Sequence, residues 1–135
     1  MKWSDTVAND CRYGDVAALV WGDCDIVWED SEADYQGHAS IVARHPDGTF
    51  SFYEWQYGSC SGCDYWEGCE LSDAEIEAEM RKDAVYFATA AEAEAYFALG
   101  KEQEGYSSRR FAAACAAIAA RRAAEASAER EGERE

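Results

Sequence analysis

The stretch GHASIVARHPDGTFSFYEW, residues 37–55, constrains the fold more than any other part of the chain. Its centre is a turn, because Pro46 presets the φ angle and Gly48 can adopt the left-handed conformation that closes a three-residue hairpin loop. The residues on either side are of types that favour strands. We therefore predict a β-hairpin in which Gly37–Arg44 pairs with Thr49–Tyr57.

The second strand of this hairpin is aromatic on both faces. Side chains alternate between the two faces of a strand. One face then carries Phe50 and Phe52, and the other carries Ser51, Tyr53, Trp55 and Tyr57. Such a strand is either covered on both sides, by helices and by the cysteine loop that follows it, or it offers one face to a partner.

Helix-start signals follow the hairpin. Ser72 and Glu75 have the spacing of a capping box, and Leu71 with Ile76 fits a hydrophobic staple. Together these signals predict a helix over Asp73–Lys82.

A short strand and a second helix are predicted next. The strand is AVYFA, residues 84–88, and it is followed by a second capping box at Thr89 and Glu92. The helix that begins there should run to Leu99 and stop at Gly100, because glycine is the usual residue just past a helix end.

Residues 107–130 are nearly all alanine, arginine and glutamate, and they predict a long third helix. Phe111, Cys115 and Ile118 recur at helical spacing and form one narrow apolar stripe. We expect this stripe to dock either on the domain itself or on a second copy in a homodimer. The residues after the helix should fray.

Before the hairpin, two short strands are predicted, Val16–Trp21 and Cys24–Glu29. The element order then indicates an α+β domain: a small, mainly antiparallel sheet with a β-hairpin, packed by two or three helices. Residues 1–105 form one acidic domain in this prediction, and residues 106–135 form the alanine-rich C-terminal helix.

The charge of the chain is strongly negative, with a formal net charge of −16. Residues 1–105 carry 23 acidic and 6 basic side chains, whereas residues 106–135 carry 5 and 6. Such a body repels phosphate backbones, so direct nucleic-acid binding is disfavoured. It would attract a basic protein partner instead, unless the charge serves only to keep the protein soluble.

The chain gives no sign of a membrane segment. Its longest run without a charge, Phe111–Ala120, is too short to span a bilayer, and the first residues lack the apolar region of a signal peptide. We therefore expect a cytoplasmic protein, with its cysteines as reduced thiols or metal ligands.

The stretch WQYGSCSGCDYWEGC, residues 55–69, holds Cys60, Cys63 and Cys69. Cys60 and Cys63 have the spacing of half a zinc site, with Cys69 available as a third ligand. The fourth ligand would come from Cys11, Cys24, His38 or His45. The alternatives are a dithiol redox pair, which the acidic neighbours disfavour, and a tight glycine turn in which the cysteines fill space beneath tryptophans.

No catalytic constellation is evident in the sequence. Nucleophilic catalysis needs a base beside a serine or cysteine, and the chain has only His38 and His45. His45 lies in the predicted turn, where we expect it to be exposed to solvent. His38 would reach Cys60 only if the strand ends align, so a thiol-dependent enzyme ranks third among the hypotheses.

The stretch DGTFSFYEWQYGSCSGCDYWE, with YGSCSGCD as its most specific part, resembles small uncharacterised acidic proteins of tailed phages, especially those infecting actinobacteria. The likeness covers roughly residues 35–99. The composition, with nine arginines against three lysines and abundant alanine, glycine and glutamate, agrees with a high-GC genome. This resemblance implies a phage setting, and hence the host cytoplasm, but no activity and no catalytic residue.

The first functional hypothesis is therefore a non-enzymatic, phage-type accessory protein that binds another protein, in one version as an acidic inhibitor of a host nucleic-acid enzyme or defence complex. Aromatic side chains dominate interface hot spots. The contact residues proposed on this ground are Tyr53, Trp55, Tyr57, Tyr65 and Trp66. The second hypothesis is a zinc-stabilised binding module built on Cys60, Cys63 and Cys69.

The zinc hypothesis makes a direct prediction. If zinc is bound, Cys60→Ser and Cys63→Ser should each release it and unfold the loop, because structural zinc contributes folding free energy. Elemental analysis of protein purified without chelator checks this, with Cys115→Ser as the control. Much less than one zinc per chain in the unsubstituted protein would end the hypothesis.

Overall fold

The structure is a computed structural model, and it describes residues 1–34, 36–58, 66, 71–100 and 106–133, with only the backbone of 106–108 and 129–133. Two short 3₁₀ turns, Trp3–Asp5 and Ala8–Asp10, precede the first helix. The helices and strands in chain order are α1 (Gly14–Trp21), β1 (Asp25–Glu32), β2 (Gly37–Arg44), β3 (Phe50–Tyr57), α2 (Asp73–Asp83), β4 (Val85–Phe87), α3 (Ala90–Gly100) and α4 (Tyr106–Glu133). This is an α+β fold, as the sequence predicts.

The four strands form one antiparallel sheet in the order β1-β2-β3-β4. The predicted hairpin is confirmed, with Gly37 opposite Tyr57 and Arg44 opposite Phe50. The Gly48 N–H donates to the His45 carbonyl at 2.9 Å, and the His45 N–H donates to the Thr49 carbonyl at 2.8 Å. Gly48 has φ +90°, the left-handed conformation that the loop requires.

The sheet is covered on both faces. On one face, Tyr53, Trp55 and Tyr57 pack with α1, α2 and the N-terminal turns, and the Tyr53 ring stacks on Trp21 at 5.1 Å. On the other face, Phe50 and Phe52 pack with α3 and α4. The predicted alternation is confirmed, and of the two arrangements left open for this strand the structure has the one covered on both sides.

The prediction of a strand at Val16–Trp21 is wrong, because these residues lie in α1. Val16, Ala17, Val20 and Trp21 are buried while Leu19 is exposed, which is the one-sided pattern of a helix. A short apolar run reads equally well as a buried strand or a buried helix. The predicted strand at Cys24–Glu29 is present as β1, shifted to Asp25–Glu32.

The predicted helix signals after the hairpin are confirmed in α2 and partly in α3. In α2, Ser72 and Glu75 form the full capping box. At α3, the Thr89 hydroxyl accepts a hydrogen bond from the Glu92 N–H at 3.2 Å, but the Glu92 carboxylate accepts from the Ala88 N–H at 2.9 Å. The second cap therefore differs by one residue from the predicted box.

The long helix α4 docks on its own chain. Ala114 and Ile118 are fully buried in the second core, and Phe111 and Cys115 pack against it. Gly100, the last residue of α3, lies directly under the Phe111 ring, where any Cβ would collide. The predicted stripe thus contacts the domain itself, while the homodimer stays a prediction. No helix in the described ranges is both long and apolar enough to cross a membrane.

The hairpin turn provides a stability prediction. Gly48→Val should lower the free energy of unfolding by about 1 kcal/mol or more, because a β-branched residue resists positive φ. No atom lies within 4 Å of a Cβ built at Gly48, so the whole loss comes from the backbone. Gly48→Asn is the matched control and should lose less, since asparagine tolerates the left-handed region. Equal urea unfolding curves for the two variants would contradict this.

Candidate binding site

The aromatic residues predicted to contact a partner lie in the core. Tyr53, Trp55, Tyr57 and Trp66 are only 4% to 6% exposed, and Tyr65 lies outside the described residues. The side chains of these four are therefore largely covered within the chain, and their contact with a partner stays a prediction. Their burial follows from the first 21 residues and α2, which fold over this face of the sheet.

The polar atoms of these buried aromatics are used within the chain. The Trp55 indole N–H donates to the Arg12 carbonyl at 2.9 Å, and the Tyr57 hydroxyl donates to the Glu32 carbonyl at 3.2 Å. Burial raises the pKa of the Tyr57 hydroxyl to about 12. Trp66 meets the Tyr13 ring edge-on at 4.9 Å. These contacts pin the N-terminal segment to β3.

The cysteines proposed as zinc ligands, Cys60, Cys63 and Cys69, lie outside the described residues. Of the four candidates for a fourth ligand, Cys11 and Cys24 are buried thiols. Burial, and next the charge of Asp23, raises the pKa of Cys24 to about 12. Across the described part of the chain, no group of three or more His, Cys, Asp or Glu residues is arranged to hold a metal ion.

His45 is half-buried rather than exposed, and it links the hairpin turn to α1. Its Nδ1 lies 3.2 Å from the Cys24 Sγ and its Nε2 lies 2.7 Å from the Ser51 Oγ, which also accepts from the Trp21 indole N–H at 3.0 Å. Burial lowers the pKa of His45 and raises that of Cys24, so both are neutral near pH 7. Ser51 is fully buried, and this trio is a structural network rather than a nucleophile and its base.

The sheet face that α4 covers is apolar near one end of the strands and becomes polar towards the other end. Trp28, Val42 and Phe52 lie opposite one another and belong to the second core. Two residues further along, Asp30, Ser40 and Glu54 form the next cross-strand row. Because side chains two apart share a face, this row directly adjoins the apolar one.

Arg110 of α4 spans this polar row. Its guanidinium donates to the Asp30 carboxylate at 2.9 Å, to the Glu54 carboxylate at 2.5 Å and to the Ser40 hydroxyl at 2.6 Å. Burial opposes the charged form, but the hydrogen bond and charge of Glu54, together with Asp30, outweigh it and raise the pKa of Arg110. One side chain thus ties α4 to β1, β2 and β3.

A second polar row, Glu32, His38 and Gln56, follows on the same face. The His38 ring nitrogens lie 3.8 Å from carboxylate oxygens of Asp30 and Glu32. We call the residues of the two rows together with Arg110 the Arg110 cluster. A pocket of about 130 Å³ opens among them, and a second one of about 310 Å³ lies beyond His38, towards Gly37 and Gly58.

In the Arg110 cluster, hydrogen-bond acceptors surround a guanidinium that is already paired with two carboxylates. Ser40 is 1% exposed and its hydroxyl is already engaged on both sides, so it cannot serve as a nucleophile. Two of the three carboxylates pair with Arg110, which leaves Glu32 and the ring of His38 at the pocket mouth. Sequence reasoning missed this cluster, although Asp30 and Glu32 follow directly after the predicted strand Cys24–Glu29.

Comparisons with protein-family models, with curated proteins and with solved structures found no match to this chain.

Arg110 provides the prediction for this site. Arg110→Met should lower the free energy of unfolding by about 1–2 kcal/mol, because Asp30 and Glu54 would be left facing each other without a counter-charge. Arg122→Met on the same helix is the control, since Arg122 pairs with a single carboxylate among the described residues, that of Glu94, and its side chain is 56% exposed. It should change stability by no more than about 0.5 kcal/mol.

Adding Glu54→Gln to Arg110→Met should recover part of the loss, since it removes one of the opposed charges. Urea unfolding of the four proteins measures these differences. Equal losses of stability for the Arg110 and Arg122 variants would contradict the role of Arg110 in holding α4 on the sheet.

Proposed function

We propose that this protein is a non-enzymatic, phage-type accessory protein that acts by binding a basic protein partner. In one version of this proposal, the partner is a host nucleic-acid enzyme or defence complex, and the acidic protein occupies its nucleic-acid groove. Because phosphate backbones and carboxylate surfaces present the same sign of charge, one basic groove can attract both.

The observation that carries this proposal is how the chain uses its positive charge. The arginines that form ion pairs with the chain's own carboxylates are Arg44, Arg81, Arg110, Arg121 and Arg122. The carboxylates outnumber the basic side chains by 28 to 12. Among the described residues, exposed carboxylates include those of Asp73, Asp83 and Glu92.

The chemistry of the described polar sites also favours binding over catalysis. In the His45 network burial raises the pKa of the Cys24 thiol and Ser51 is fully buried, and in the Arg110 cluster the only hydroxyl is buried and engaged on both sides. A body that presents carboxylates in this way steers a basic partner towards it by long-range attraction.

The proposal predicts a steep dependence on salt. The partner is first captured from a host lysate, identified and purified, and its association and dissociation rates are then measured at several salt concentrations. The association rate should fall steeply as ionic strength rises, because charges are screened over about 10 Å at 0.1 M. An uncharged osmolyte of equal osmolality is the control and should leave that rate nearly unchanged.

Competition with DNA or RNA tests the groove version separately. Nucleic acid should displace the protein from its partner if both occupy one groove. Binding without salt dependence would identify the acidity as a solubility device, whereas salt-dependent binding without competition would retain the basic partner and reject the groove.

A further inference from the structure

One edge of the sheet is incomplete. Strand β4 pairs only with Phe50–Phe52 of β3, yet β3 continues to Tyr57. In the part of the chain that the structure describes, no strand pairs with residues 53–57 on the side away from β2. An open strand edge presents backbone donors and acceptors to any extended chain that reaches it.

The hairpin register identifies the backbone groups at this edge. The hydrogen bond from the His45 N–H to the Thr49 carbonyl makes that pair a hydrogen-bonded one, and such pairs alternate along an antiparallel ladder. Tyr53, Trp55 and Tyr57 therefore direct their backbone groups to β2. The N–H and C=O groups of Glu54 and Gln56 point the other way, as those of Phe50 and Phe52 do towards β4.

A groove lies along this edge. One hollow of about 180 Å³ is lined by Tyr53, Glu54, Trp55, Gln56, Trp66 and Asp83. A neighbouring hollow of about 290 Å³ shares Tyr53, Glu54 and Asp83 with the first and extends to Val85 and Tyr96. The groove thus combines aromatic walls with an edge of backbone groups, the combination that strand addition uses.

The charge at the groove is negative. Asp83 is the last residue of α2, where the helix dipole adds a partial negative charge, and Glu79 lies one turn before it. Both carboxylates act on the groove wall: besides burial, the charges of Asp83 and Glu79 raise the pKa of Tyr53. A positively charged side chain of a bound segment would meet these carboxylates beside the strand edge.

We infer that the open edge of β3, at Glu54 and Gln56, takes up an extended basic segment of the partner as an additional strand. The backbone of the segment bonds to Glu54 and Gln56, and its lysine or arginine side chains reach Asp83 and Glu79. This inference rests on the proposed function, because it specifies which part of a basic partner the protein binds.

Model peptides test the inference on the unsubstituted protein. The probes are acetylated, amidated KTKTKTKTK, the same peptide N-methylated at alternate residues, and its glutamate counterpart ETETETETE. N-methylation keeps the charge but removes the donors of one peptide edge. It should weaken binding at least about tenfold, because two hydrogen bonds to the strand are lost. The glutamate peptide should not bind.

A matched pair of variants tests the edge from the protein's side. Gln56→Pro removes an N–H that points away from β2, so the hairpin ladder is kept, and proline is tolerated at such edges. It should weaken binding of KTKTKTKTK at least about tenfold, whereas Gln56→Ala, with its backbone intact, should change it less than about twofold. Circular dichroism checks that both variants are folded. If Gln56→Pro does not fold, the comparison of the methylated and unmethylated peptides on the unsubstituted protein still tests the inference.

Amide hydrogen exchange locates the bound segment. The amides of Glu54 and Gln56 should exchange fast in the free protein and slow on adding KTKTKTKTK, while those of Tyr53 and Trp55 stay slow throughout. Protection of Glu54 and Gln56 without peptide would mean that the chain's own residues occupy the edge, and would overturn the inference.

Equal binding of the methylated and unmethylated lysine peptides, with strong salt dependence, would reject strand addition but retain a basic partner. No salt-dependent binding of either lysine peptide would count against the proposed function as well.

Discussion

The architecture depends on one strand that must be covered on both faces. Strand β3 carries Phe50 and Phe52 on one side and Tyr53, Trp55 and Tyr57 on the other, all of them buried. A two-layer domain can bury only one face of a strand, so this sequence requires helices on both sides of an antiparallel sheet. The N-terminal turns, α1 and α2 supply one cover, and α3 and α4 supply the other.

The sequence predicts those features of the fold that neighbouring residues determine, and it misses those that depend on contacts between distant parts of the chain. The hairpin turn and the capping box of α2 are local signals, and both are confirmed because three or four neighbouring residues determine them. Helix α1 was missed since its burial pattern is set by a contact with β3, in which Trp21 stacks on Tyr53. Tertiary packing, not local preference, decides such a short apolar run.

The Arg110 cluster was missed for the same reason, and here the contacts join four separate elements of the chain. Asp30, Ser40 and Glu54 become neighbours only through the registers of two strand pairs, and Arg110 reaches them only after α4 has docked. No spacing in the chain connects these four residues. A partial signal did exist, since Asp30 and Glu32 follow the predicted strand Cys24–Glu29 and the predicted C-terminal helix carries arginines that could pair with them.

The same charge that would attract a partner also opposes folding. With a net charge of −16, the carboxylates repel one another more strongly in the compact state than in the unfolded one. The arginine ion pairs between α4 and the sheet offset part of that repulsion. Arg110 bridges to Asp30 and Glu54, Arg121 pairs with Asp25, and Arg44 of β2 pairs with Glu125 of α4.

A basic partner would relieve the remaining repulsion, and anything that binds only the folded state stabilises it. If such a partner exists, stability and recognition are linked through one surplus of carboxylates. Neutralising them would make the free protein more stable and would weaken its hold on the partner, and a surface retained for solubility alone would not show this second effect.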